Sequence, residues 1–337
     1  VTNVFPAATT AFPVLERHEL LERMRADGPD WTETYFQQVQ RRYEDGSLPE
    51  KDYLHAYRLA GGYREDVAPL VTAWVETHPR SAPARIFEAQ HAFAHARWLR
   101  TQRLSKDVPP ERRAPLAAAL ERAWTAGEAA LDLTAMPLLA FVSMMGVRTF
   151  QGDRAWDLYE VGLERLPRSL RLRRAMLANL RAEWGGSLQD LRAFVERPEH
   201  ALLSLYEQAE LRANMHVRVA HHLNDFQNDR EGALREAEAA VRLVRDASTL
   251  AQLAALHDDE HGAALLDEAI RLAPDDDELR VQFGVRYLMD RPRAAQRALR
   301  EAAAWGQPAA HDVLHKPTLF YRVVVALSML VTIFSRA

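Results

Sequence analysis

His257, Glu260 and His261 stand in the order H-x-x-E-H, in which two histidines can hold zinc while the glutamate acts as base. That chemistry needs both histidines on one helical face and a further ligand from elsewhere in the chain. Here the five residues fall between an apolar stretch ending at Leu256 and the segment Gly262–Ala273, where a turn between helices is expected. Asp258, Asp259 and Glu260 suit the start of a helix, because carboxylates are favoured at the positive end of the helix dipole. The motif therefore reads as a helix start. Glu88, His91 and His95 lie at i, i+3 and i+7, on one face of a helix, and Glu-x-x-His is an element that di-iron bundles turn inward. Such a site needs a second copy on a facing helix, and the sequence has none. A metal-dependent enzyme built on Glu88, His91 and His95 is thus the alternative reading, and no cofactor is expected. Gly185-Gly186-Ser187 fails as a nucleophile elbow, since Gln189 occupies the place of the last glycine in G-x-S-x-G. No phosphate-cradling G-x-x-x-x-G-K occurs.

The elements that must position these residues are clearest between Gly152 and Ser187. That stretch reads as helix, proline stop, helix and Gly-Gly turn. Ala155, Tyr159, Gly162 and Pro167 are spaced by four, three and five. The spacing matches the small–aromatic–small–proline signature of the second helix of a tetratricopeptide repeat. Small residues admit a neighbouring helix closely, and the proline ends the turn. Val67, Val71, Trp74 and Pro79 repeat the spacing, and Pro79-Arg80-Ser81 is echoed by Pro167-Arg168-Ser169. Gly262, Leu266, Ala269 and Pro274 keep it, and Ala233, Ala237 and Ala240 keep it up to Arg245.

Taken in order, the pattern predicts helices over 14–26, from a capping box at Asp30–Glu33 to Gly46, from Pro49 to Gly61-Gly62, and over 64–78. Ser81 caps a long helix reaching about Arg103, followed by a loop at 104–110 and helices over 111–131 and 134–150. Trp184, Gly185, Gly186 and Ser187 form a structural turn, with Ser187 capping the next helix and Trp184 beneath the turn. Two helices, 200–212 and 215–226, are expected before the regular repeats. No alternation of period two persists, and the β-branched run Val323–Val325 sits in a helical context. The fold class is all-α: an α-solenoid of antiparallel helix pairs, tetratricopeptide-like, with an irregular N-terminal half. The expected division is an irregular helical-repeat domain over 1–197, tetratricopeptide-like repeats over 198–310, and a hydrophobic C-terminal helix over 311–337.

Composition limits what such a fold does. Hydrophobic residues make up 48% of the 337 and charged residues 27%, as in an ordinary folded protein. The net charge of −4 shows neither the basic excess nor the basic stripe of a nucleic-acid binder. Only Lys51, Lys106 and Lys316 are lysines, a bias that points to a GC-rich bacterial genome. With no cysteine, disulfides, thiolate zinc sites and cysteine nucleophiles are excluded. The N-terminus lacks a basic segment followed by an apolar run, so a cytoplasmic location is expected.

The segment from about Leu20 to Val195 resembles the bacterial domain of unknown function 4034 family. The resemblance is carried by Trp74 with His78-Pro79-Arg80-Ser81, by Gly152-Asp153, by Leu166-Pro167-Arg168-Ser169 and by Trp184-Gly185-Gly186-Ser187. The chain departs from the family where Glu88-Ala89 and His91-Ala92 replace Arg-Gly pairs. The resemblance implies a helical-repeat fold and supplies no information on activity.

After Lys316-Pro317 the chain is apolar on every helical face apart from Arg322. The uninterrupted run Val323–Phe334 is twelve residues, short of the ~20 that span a bilayer. Docking on the last repeat is the first expectation, membrane contact through 317–334 the second, and a partner helix the third. An apolar end of a solenoid also keeps homo-oligomerisation open. The function expected overall is non-enzymatic recognition of a protein partner by a scaffold, adaptor or immunity-type inhibitor. Binding residues should lie on the first helix of each pair, which lines the concave face. Arg85, Glu88, His91, His95 and Arg148 are the candidates.

Overall fold

A computed structural model of the protein describes residues 13–100, 108–274, 276–288 and 291–315, and among these every regular element is helical. The apolar segment 317–334 lies outside the described residues, as does most of the loop at 104–110. No helix of the described residues is long and apolar enough to cross a membrane.

Helix α1, Arg17–Glu44, is broken at Gly28, whose φ of 74° no helical residue adopts. Pro29 resumes the helix at once, so Asp30 never takes the extended conformation a capping residue needs. The capping box expected at Asp30–Glu33 is therefore not made. Asp30 instead meets the His78 ring at 2.9 Å, and Glu33 accepts the Trp74 indole N–H at 2.7 Å. Helix α2, Glu50–Ala56, runs into a 3-10 turn, Arg58–Gly61. Helix α3, Ala68–Thr77, starts later than the pattern from Arg64 suggests, because Pro69, lacking an N–H, fits only a first turn. Ser81 Oγ accepts the Ala84 N–H at 3.1 Å and opens α4, Ala82–Arg100. Then follow α5, Pro110–Leu133, and α6, Leu138–Gln151, which stops on left-handed Gly152.

The central unit folds as its spacing predicts. Helix α7, Trp156–Arg165, buries Tyr159, and a Cβ on Gly162 would stand 2.9 Å from Leu172 of α8, Leu170–Asn179. After α9, Leu188–Val195, one helix replaces the two expected: α10, Leu205–Gln227. Ser204 and Glu207 close a capping box at its start. Nothing between Arg212 and Met215 breaks it, and Asn214 uses its side-chain oxygen to accept from Arg218. Six helices complete the described residues: α11, Arg230–Leu243; α12, Ala247–Ala255; α13, Glu260–Leu272; α14, Asp277–Arg286; α15, Pro292–Ala304; and α16, Pro308–His315.

Each helix packs on its successor from α3 to α8 and again from α9 to α16. In addition α4 packs on α6, α6 on α8, α8 on α10, α10 on α12, and α14 on α16. Even-numbered helices from α4 to α12 thus form a continuous row, backed by the odd-numbered ones, with α14 and α16 paired beyond it. This is the α-solenoid of antiparallel pairs, and the continuous row lines its inner side. One apolar cluster holds the chain from Leu20 to Val219, and a second, rich in alanine, begins at Ala220 on the same helix α10.

The two ends of this stack meet. Arg17, at the first turn of α1, forms a bidentate pair with Asp277 at the start of α14. Its guanidinium also lies 4.2 Å from the Trp305 ring, and Arg64 lies over the same ring at 5.1 Å. Arg64 donates to the Ala304 carbonyl. The backbones themselves touch: a Cβ on Gly62 would stand 2.6 Å from the Trp305 carbonyl oxygen, and one on Gly306 would stand 1.9 Å from that of Tyr63. Only glycine satisfies both conditions at 306, a φ of 81° and this approach. The solenoid is closed on itself.

Candidate functional site

Helix α4 carries Arg85, Glu88, His91 and His95 along one side, as the spacing requires. Glu88 is buried, and both of its oxygens are taken: Oε2 by Arg85 and Oε1 by Arg122 of α5, each at 2.9 Å. His91 is buried, with its imidazole hydrogen-bonded to the Arg64 backbone and its Nε2 without a partner. Burial pushes its pKa down to about 4, and the Arg122 charge pushes the same way. His95 stacks on Tyr63 at 4.0 Å, and burial lowers its pKa too. Glu88, His91, His95, Tyr63 and Arg122 line a cavity of about 160 Å³. That volume holds a few waters or a very small molecule.

The carboxylate here is neutralised by two guanidinium groups, which compete with any cation for its oxygens. Among the described residues no group of three His, Asp or Glu side chains is placed to hold a metal. Arg148 does not line this cavity; it lies 4.9 Å over Trp124, with Asp153 and Asp157 each at 3.6 Å. At the H-x-x-E-H motif, Asp259 caps α13 by accepting the Gly262 N–H at 3.1 Å. His257 precedes that helix and His261 lies within it, their rings edge to face. Trp184 is half-buried, stacked on Phe150 under the Arg100 guanidinium, and Ser187 Oγ accepts the Asp190 N–H at 3.0 Å.

A second group of side chains faces the inner side of the stack. On α8, Leu172, Arg173, Met176 and Leu177 are buried, leaving Arg171, Arg174, Ala175 and Ala178 on the open side. On α10, Glu207, Glu210, Asn214 and Arg218 form the corresponding row. Arg174 pairs with Glu210 at 3.3 Å, and Arg181 with Glu183 at 3.3 Å. Arg218 donates only to Asn214, at 3.0 Å. Among the described residues, Arg97, Arg171 and Arg218 have no carboxylate within ion-pair distance. The groups feel one another: Arg174 and Arg97 act on Arg171, and Arg181, Arg171 and Arg174 act on Arg218. Burial, ahead of these like charges, pushes the Arg218 pKa down to about 9. Arg171 is exposed by surface area, yet protein mass around it disfavours its charge.

Comparison with known proteins locates the first of these two regions. Residues 17–161 match the family described as "Domain of unknown function (DUF4034)". The DUF4034 match runs from α1 into α7 and includes the α4 cavity. It ends before Pro167 and the Trp184–Ser187 turn, so it is shorter than the resemblance to Val195 that the motifs suggested. No curated protein sequence matches the chain. A chain in the solved structure titled "Crystal structure of APC/C hetero-tetramer Cut9-Hcn1" is similar at 13% identity and a TM-score of 0.35. The similarity covers 89% of this chain and 62% of that one, so this chain spans less than two thirds of that length. The repeat architecture described here rests on the spacing and helix pairing themselves.

Most of the inner arginines lie beyond the DUF4034 segment, and the interleaved charges of a chain with a net charge of −4 hide them in the sequence. Arg171, Arg174 and Arg181 are a short stripe at i, i+3 and i+10, and that signal was available. Arg97 and Arg218 join it only because α4 and α10 belong to the same row.

Proposed function

We propose that this chain is a non-enzymatic protein-recognition module, acting as a scaffold, adaptor or inhibitor, whose partner docks on the inner face of α8 and α10. The observation that carries the reading is the pair Arg171 and Arg218 on this open row, which among the described residues have no carboxylate within ion-pair distance. Side chains that serve only the fold are normally paired when they are desolvated. The α4 cavity supports an enzyme less well, because its one carboxylate is held by two arginines. An immunity-type inhibitor is one specific form of the same reading.

The test isolates the tagged chain from its own organism and identifies any protein retained at stoichiometric level. Charge reversal at Arg171 and Arg218 should abolish retention. Reversal at Arg235 and Arg242, exposed on α11 and paired within that helix, should leave it intact. Retention lost in both variants, or in neither, would contradict the assignment to this face.

A further inference from the structure

We infer that Arg97, Arg171 and Arg218 form a receptor for the carboxylates of an acidic peptide segment, a conclusion that rests on the protein-recognition reading and names its ligand chemistry. The three guanidinium groups come from α4, α8 and α10, separate members of one helix row. Each of their neighbours Arg174 and Arg181 already has a carboxylate, Glu210 and Glu183. The surplus charge of the cluster therefore resides on the three. Like charges gathered on a concave wall oppose folding, and a bound anion reverses the sign of that term. The guanidinium group presents paired N–H donors in a plane, which match the two oxygens of a carboxylate.

The surroundings favour separate carboxylates over a continuous phosphate chain. Glu50, Glu183, Glu207 and Glu210 lie around the arginines. Glu50 acts on Arg171, and Glu183 on Arg218, without forming an ion pair. A nucleic acid carries a charge at every nucleotide and would meet these carboxylates along with the arginines. Single-strand binding also draws on aromatic platforms, whereas the open side of α8 between its arginines offers Ala175 and Ala178. Those small side chains leave room for a peptide backbone to run close to the helix.

The experiment uses the full chain and fluorescence anisotropy with an end-blocked, labelled nonapeptide of Glu, Asp and Gly. Its Gln/Asn/Gly counterpart and a single-stranded oligonucleotide of equal charge serve as competing probes. The acidic peptide should bind, weaken as salt rises, and bind at least about tenfold more weakly to the Arg171→Gln, Arg218→Gln double variant. The neutral peptide should not bind. Because the substitutions remove repulsion, the double variant should melt at the same temperature or up to about 2 °C higher. Absence of acidic-peptide binding, equal binding by the double variant, or tighter binding of the oligonucleotide would each overturn the proposal. A lowered melting temperature would do so too, by showing that the arginines serve the fold. Loss of partner retention on charge reversal, without any peptide binding, would sink the ligand chemistry alone; failure of both would sink the recognition reading with it.

Discussion

His91 shows how much a single side chain can report. Its ordinary pKa is 6.5, and burial brings it to about 4 in the folded protein. Between those values the unfolded chain binds a proton that the folded chain refuses. Stability contributed by the neutral imidazole is therefore complete above pH 6.5 and is lost as pH falls towards 4, by up to about 3 kcal/mol. Urea denaturation at stepped pH should show this slope, and His91→Gln should flatten it. An unchanged slope in the variant would mean that other groups, such as His95 or His200, produce it. The co-alignment of Glu88, His91 and His95 was legible from spacing alone; what occupies Glu88 was not, because Arg122 comes from another helix. Arg173 marks the limit of residue-type reasoning. It reads as a surface residue, yet it is fully buried, donating to His200 and to the carbonyls of Ser169, Pro167 and Glu199.

At the level of elements, helix stops were easier to read than helix starts. Pro79, Pro167 and Gly152 end their helices as residue chemistry dictates, Ser81 and Ser187 cap as expected, and Ser169 caps α8 from the echoed Pro-Arg-Ser. The starts at Asp30 and Arg64 differ from expectation because a proline sets the first turn, Pro29 directly before Asp30 and Pro69 five residues after Arg64. The long α10 departs from expectation for the opposite reason, since no breaker divides Leu205–Gln227 into the two helices expected. The Trp184–Ser187 turn offers a sharp test. Gly185 has a φ of 88°, and a Cβ on Gly186 would stand 1.8 Å from the Leu180 carbonyl oxygen. That contact is with backbone, so it cannot be relieved by a rotamer change. Gly186→Ala should cost about 2 kcal/mol or more, read from chemical denaturation, in line with overpacking of a rigid site. A neutral result would show that the turn is not held as described.

The whole molecule adds the feature no local pattern encodes, closure of the stack. Arg17 and Asp277 are 260 residues apart, and neither belongs to a periodic motif. Their pair is largely buried, at 12% and 8% side-chain exposure, and Asp277 also holds Arg280 at 2.9 Å. Removing Arg17 leaves Asp277 one remaining cation, so Arg17→Gln should cost about 2 kcal/mol, below the cost of a fully orphaned buried charge. A double-mutant cycle with Asp277→Asn should give a coupling clearly different from zero. Additive single effects would mean that the ends do not meet in solution. Under the proposed function, closure matters because it curves the inner row of helices that carries the arginines of α4, α8 and α10.

The central claim is that partners are recognised on this inner face, and site-specific photo-crosslinking tests it most directly. A photoreactive amino acid at Ala178, on the open side of α8, is compared with one at Glu164, exposed on α7 behind it. The account predicts a crosslinked partner from position 178 and none from position 164. Crosslinking from 164 with none from 178 would contradict it.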